Sequence, residues 1–157
     1  MAQRKKLLQD SSNNKISNIE LDKIVEKLPY IKDQYQSLNL LTFTAKQGQA
    51  FAQYRLANDG PIEEREYWLT MSATQGLPEA QYALGARCWD NYRNLQGALY
   101  WLGEADKHND SLVSGVCLPR FFQSGNRKVL EKAFKEYKAA REMPEQDEGA
   151  NKSVLKR

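Results

Sequence analysis

The chain has 157 residues, 27% of them charged, with 23 basic and 20 acidic side chains and a net charge of +3. That length suits one domain with a moderate core, and the charge balance sets up no strong field toward nucleic acid or anionic lipid. Two cysteines exclude a disulfide framework, a single histidine leaves no material for a His-based metal cluster or triad, and no apolar run approaches a membrane span.

Residues 1–16 are polar and basic, including Arg4-Lys5-Lys6, and read as a mobile arm. No long apolar stretch follows them, so they are not a secretory signal as written, and the expected location is cytoplasmic. Ser17-Asn18-Ile19-Glu20 matches a capping box, the signature of a helix start. Ile19, Leu21, Ile24, Val25 and Leu28 keep a helical stripe up to Pro29. The spacing of Ile31, Tyr35, Leu38, Leu41 and Ala45 predicts a second helix over Tyr30 to Lys46. Residues 17–46 are thus expected to form N-terminal capping helices, because terminal repeats need a modified outer face.

From 47 to 141 the chain repeats itself. Gln47-Gly48-Gln49-Ala50-Phe51-Ala52-Gln53-Tyr54-Arg55-Leu56 returns as Gln75-Gly76-Leu77-Pro78-Glu79-Ala80-Gln81-Tyr82-Ala83-Leu84, and Tyr67-Trp68-Leu69 returns as Tyr100-Trp101-Leu102. Self-similarity at this period marks stacked helix pairs. The first pair runs from Gln49 to Asn58 and on to Gly76. Asp59-Gly60-Pro61 turns the chain, Gly60 as a left-handed stop and Pro61 at the next helix start. The second pair runs from Pro78 to about Trp89 and from about Asn94 to Lys107, with Asp90-Asn91-Tyr92-Arg93 as a longer loop. In the third pair His108 takes the turn position of Gly48 and Gly76. The following helix then sets Leu112 where Ala52 and Ala80 stood, and Val116 where Leu56 and Leu84 stood, with Pro119 as its limit. A last helix over Gly125 to Arg141 carries Leu130, Ala133, Phe134, Tyr137 and Ala140 on one face. Residues 142–157 read as a disordered tail. No segment alternates with a β period.

These residues carry a resemblance. Ala80-Gln81-Tyr82-Ala83-Leu84-Gly85, followed by Ala98-Leu99-Tyr100-Trp101-Leu102-Gly103-Glu104-Ala105, resembles the Sel-1-like repeats, α/α repeats related to tetratricopeptide repeats. Gly85 matches the pattern, whereas Ala57 and Cys117 replace it in the other units, and the linkers are shorter or lack the usual glycines. The resemblance implies an all-α fold, a short right-handed α/α solenoid of about three helix pairs with an N-terminal capping helix. It also implies an adaptor surface for protein partners, common in bacterial proteins, with no intrinsic catalytic centre.

The candidate chemistry is sparse. His108 reads as a turn residue, and Cys88 and Cys117 as core thiols, although a bridge between neighbouring repeats is conceivable. Glu63, Glu64 and Glu66 sit where a helix start favours negative charge. Gly103 and Gly115 are isolated, so no phosphate-binding loop is present. No catalytic residue, metal ligand or cofactor is expected. Trp68 and Trp101 read as core. Trp89 and Tyr92, beside Arg87 and Arg93, have the composition of an interaction hot spot; the alternative is a Trp folded back over the loop. A partner groove is expected along Phe51, Arg55 and Asn58, continuing through Glu79, Ala83, Arg87 and Asp90, unless that face is simply solvated. The last helix and its approach are basic, with Arg120, Arg127, Lys128, Lys132, Lys135, Lys138 and Arg141. These read as a solvated face or as a patch for an acidic protein or nucleic-acid phosphates. The expected partner is another protein, with nucleic acid as the alternative, no membrane, and a monomer or small homo-oligomer. A narrower expectation is an immunity or antitoxin-type protein that blocks a toxin.

Overall fold

The computed structural model describes residues 16–143, so the expected arm up to Lys15 and the tail beyond Met143 lie outside the described residues. Among the described residues the fold is all-α, with no strand. In chain order the helices are α1 (Asn18–Lys27), α2 (Gln34–Lys46), α3 (Ala50–Asp59), α4 (Arg65–Thr74), α5 (Pro78–Asp90), α6 (Leu95–Lys107), α7 (Leu118–Phe122) and α8 (Lys128–Glu142). Single 3-10 turns cover Leu28–Tyr30, Ile62–Glu64 and Gly125–Arg127, and a π turn, Val113–Cys117, runs directly into α7. Each helix from α1 to α5 packs on the next, α6 packs on the π turn, and α8 packs on α6 and α7.

The caps follow the local chemistry. The Ser17 hydroxyl accepts from the Glu20 N–H while the Glu20 carboxylate accepts from the Ser17 N–H, which is the expected capping box. The predicted start of α2 moves from Tyr30 to Gln34. Pro29 sits inside a 3-10 turn, Ile31 is extended, and Asp33 caps the new start by accepting from the Tyr35 and Gln36 N–H groups. Within α2, Tyr35 lies outside the buried stripe, 82% exposed, while Leu41 and Ala45 are buried.

α2 and α4 end in the same way. Gly48 (φ 97°) and Gly76 (φ 93°) take the left-handed conformation. Their N–H groups bond the carbonyls of Ala45 and Ala73, and the next N–H groups bond Thr44 and Ser72, a Schellman stop for which glycine has no Cβ penalty. At the end of α6 the left-handed residue is Asn109 (φ 49°). His108 is the helix cap at φ −73°, so it matches Gln47 and Gln75, not Gly48 and Gly76.

This one-residue correction runs through the last pair. Gly76 and Asn109 are 33 residues apart, the offset that also relates Trp68 to Trp101. Val113, fully buried, therefore takes the place of Ala52 and Ala80, whereas Leu112 and Val116 are 54% and 43% exposed. The same offset aligns three side chains that hold the preceding helix end. Gln53 Nε2 donates to the Ala45 carbonyl at 3.1 Å, Gln81 Nε2 to Ala73 at 3.2 Å, and Ser114 Oγ to Asp106 at 3.5 Å. Pro119 does not end the segment. The N–H groups of Cys117 and Leu118 bond carbonyls five residues back, and Pro119 then sits in the first turn of α7, where its missing N–H costs nothing. Gly60 is also reassigned: its φ is −92°, and glycine is needed there because a Cβ would lie 2.6 Å from the Leu56 carbonyl oxygen.

The interior forms two clusters. Leu41, Ala52, Leu56, Trp68, Leu69, Ala80 and Leu84 fill the first. Leu102, Val113, Leu118, Phe121, Phe122, Leu130 and Phe134 fill the second. Full burial of such side chains contributes about 2 kcal/mol each. Small residues set the closest approach: Gly85 of α5 faces Leu102 of α6 so tightly that an added Cβ would lie 2.8 Å from its Cγ.

Candidate partner-binding surface

The end of α5 and its loop bring together most of the residues singled out at the second pair. The loop closes on itself, with the Asn94 N–H bonding the Cys88 carbonyl at 2.8 Å and the Arg93 N–H bonding Trp89 at 3.1 Å. Arg93 turns the chain at φ 50°, a conformation that costs a non-glycine residue about 1 kcal/mol. Fastenings to neighbouring helices offset that cost. Glu66 Oε1, at the start of α4, accepts from Arg87 Nη2 at 2.8 Å, from Arg87 Nε at 3.2 Å and from the Tyr92 hydroxyl at 2.8 Å. On the other side Asp90 accepts from Arg127 Nη2 at 2.6 Å, and the Arg127 guanidinium lies 4.1 Å above the Phe121 ring.

Trp89 is half-buried against the second cluster, with the Arg93 guanidinium 5.4 Å above its ring and its indole N–H buried without a hydrogen-bond partner. It therefore serves partly as cover, while Tyr92 beside it is 61% exposed. The first half of the expected groove is carried by α3. Arg55 pairs with Asp59 at 3.1 Å, and both line a concavity of about 510 Å³ whose floor includes Leu28, Ile31, Leu38 and Leu41. Phe51 is half-buried with its ring 6.2 Å from that of Tyr54, and Asn58 is exposed. Glu79 is half-buried, with one carboxylate oxygen buried and unpartnered.

The basic residues are largely neutralised within the fold. Arg127 pairs with Asp90, Lys135 with Glu131 at 3.2 Å, Lys138 with Asp106 at 2.5 Å and Arg141 with Glu104 at 3.3 Å. Arg120, Lys128 and Lys132 are exposed without an ion pair among the described residues.

Glu66 lies in the first turn of α4, as expected, but its bonds to the loop are what sequence reasoning missed. Its position at a helix start explained it, and its partners lie 21 and 26 residues away with no counterpart in the other repeats. Only proximity in the fold reveals it. The hydrogen bonds from Arg87 hold its carboxyl below the ordinary value of 4.5, and Tyr92 is pushed up by donating to that carboxylate. A carboxyl lowered in the folded state stabilises the fold above its unfolded pKa, and this contribution is lost as pH falls through the lowered value. Acidification below about pH 4.5 is therefore expected to release the loop, read as a change in Trp89 and Tyr92 fluorescence before global unfolding. Glu66→Gln should abolish that step; an identical acid transition in the variant would show that another group drives it.

Burial pushes the Cys88 thiol up, which disfavours a nucleophilic thiolate. Both thiols are free. Among the described residues no group of three His, Cys, Asp or Glu is placed to hold a metal ion, and no helix is long and apolar enough to cross a membrane. No protein-family model, curated protein or solved structure matches the chain.

Proposed function

We propose that this protein is a non-catalytic adaptor, a stack of helix pairs of the Sel-1-like kind that recognises another protein. The observation that supports this most is the loop surface at the end of α5. Tyr92, Arg93 and Arg87 supply the residue types that dominate protein–protein hot spots; Glu66 of α4 holds Arg87 and Tyr92, and Arg127, ahead of α8, holds Asp90. A loop fixed before binding loses less entropy on association. The finer reading is a bacterial, cytoplasmic protein of immunity or antitoxin type that blocks its partner by covering it. Nucleic-acid binding through the last helix and its approach is the weaker reading, since four of the seven basic residues between Arg120 and Arg141 already face carboxylates.

Capture from the native lysate with nuclease present, followed by affinity measurement on the protein retained, tests the adaptor reading. Tyr92→Ala and Arg93→Ala are each expected to weaken binding by roughly tenfold or more, with little change on Lys132→Ala. Retained affinity in both loop variants would exclude this surface. Binding that requires nucleic acid and falls steeply with salt would favour the basic helix instead.

A further inference from the structure

The 28-residue offset of the first repeat lays the junction of α2 and α3 onto that of α4 and α5. Leu41 and Ala45 fall on Leu69 and Ala73, and Leu56 falls on Leu84, all of them buried. In both junctions the two helices pack directly on each other. Beyond this shared core they diverge. Leu38 stands in the position of Glu66, and Asp59 in that of Arg87. The second junction is closed by the Glu66–Arg87 pair at 2.8 Å, with the Tyr92 hydroxyl on the same carboxylate oxygen. The first has no such clasp. Asp59 pairs with Arg55 of its own helix, and Leu38 is left 36% exposed.

Loop length completes the difference. α3 ends at Asp59 and turns at once through Gly60-Pro61, whereas α5 runs on to Asp90 and its loop carries Tyr92. The residue 28 positions before Tyr92 is Glu64, whose carboxylate accepts from the Trp68 indole instead. What remains at the first junction is the concavity of about 510 Å³, inside the range of roughly 300–1,000 Å³ that holds most ligand sites. Leu28, Ile31, Leu38 and Leu41 give it an apolar lining, and Arg55 and Asp59 supply its charges.

We propose that this concavity receives a tyrosine side chain of the partner protein, which does at the first junction what Tyr92 does at the second. This rests on the adaptor reading, to which it adds a second contact. Charge sets the chemistry. Arg55 Nε and Nη2 both meet Asp59 Oδ2, so the pair is neutral as a unit, and Oδ1 has no hydrogen bond among the described residues. A further anion would lie beside Asp59, and a further cation would have to share the carboxylate with Arg55. A neutral O–H donor carried on an apolar ring complements both the free oxygen and the aliphatic lining. Tyrosine anchors seated in pockets are also among the side chains that dominate protein interfaces.

Amide NMR on the full chain, titrated with N-acetyl-tyrosinamide, tests the proposal. It needs no partner, so its failure is distinct from failure of the lysate capture that tests the adaptor reading. Saturable shifts confined to the residues around the concavity are expected, with a dissociation constant on the order of 1 mM. N-acetyl-phenylalaninamide, which lacks the donor, should bind at least about threefold more weakly. Asp59→Ala should remove that preference and leave the ring bound. Leu38→Glu, Arg55→Ala and Asp59→Arg together copy the second clasp into the first junction, and should weaken binding by roughly tenfold or more with the far-UV circular dichroism unchanged. Asp59→Ala remains an independent test if the triple variant folds poorly. No saturable shift, shifts spread over the surface, equal affinity for the two amides, or tighter binding of N-acetyl-aspartate amide would each overturn the proposal. So would a carbodiimide cross-link from Lys5 or Lys6 to Asp59 within one chain, which would give the concavity to the chain's own arm.

Discussion

Gly85→Ala should destabilise the protein by about 2 kcal/mol, and the same change should cost about 1 kcal/mol less beside a shortened Leu102. The added methyl group would sit 2.8 Å from Leu102 Cγ and 3.0 Å from both its Cδ2 and its backbone nitrogen. A side chain can rotate away from such a contact, but a backbone nitrogen inside α6 cannot, so α5 and α6 must separate. Overpacking of this sort costs about 1–3 kcal/mol. Leu102→Ala alone removes a side chain with no exposure and should cost about 3 kcal/mol from lost burial and the cavity left behind. Together, the new methyl partly fills the new hole, so the double variant should fall short of the sum by about 1 kcal/mol or more. Urea denaturation of the four proteins measures the cycle. Strict additivity would mean that the two residues do not share this contact.

The second large effect separates two glutamines that look equivalent in sequence. Gln53 is 1% exposed; its amide nitrogen donates to the Ala45 carbonyl, and its oxygen accepts from Gln75 Nε2 at 2.7 Å. Gln81 makes the matching bond to Ala73, but its oxygen is buried without a partner. The residue in the position of Gln75 is here His108, which makes no such bond. Gln53→Leu should therefore cost about 2 kcal/mol, since it leaves two partners unsatisfied. Gln81→Leu should cost about 1 kcal/mol, because the loss of one bond is partly offset by removal of the orphaned oxygen. His108→Gln, which places an amide donor at the matching cap, should gain up to about 1 kcal/mol in the parent and nothing in the Gln81→Leu background. Thermal melts of these variants test the assignment. Equal losses for the two leucine variants would contradict it.

The two spans of self-similarity show how far the chain was legible. The phrase around Gln47 and Gln75 and the phrase around Trp68 and Trp101 together identified paired helices, their order and most of the core, because burial on one side of a helix leaves a period that survives in sequence. The third pair was misplaced by one residue because His108 was set against Gly76. The Trp68–Trp101 spacing already carried the right offset, and Asn109, a residue type that tolerates the left-handed region, was the signal. The exposed positions of Leu112 and Val116 follow from that slip, with the π turn making up the register ahead of Pro119.

The candidate surface was only partly readable. Trp89, Tyr92, Arg87 and Arg93 stood out because they break the repeat, and unusual residues in a loop are visible without coordinates. Their partners were not. Glu66 and Arg127 have adequate local explanations, a helix start and a basic helix, and nothing in one dimension links them to a loop many residues away. The basic face met the same limit: seven cations can be counted in the chain, but the carboxylates on α5 and α6 that neutralise three of them are brought there only by packing.

By itself, the sequence determined that this protein is helical, that its helices come in pairs, and which side of most of them is buried. These properties follow from periodicity, caps and left-handed turns, which act over a few residues. Tertiary structure alone decided that Glu66 and Asp90 fasten the loop and that most of the cations between Arg120 and Arg141 face carboxylates. Those depend on which helices lie side by side, and contacts between distant residues leave no periodic trace in the chain.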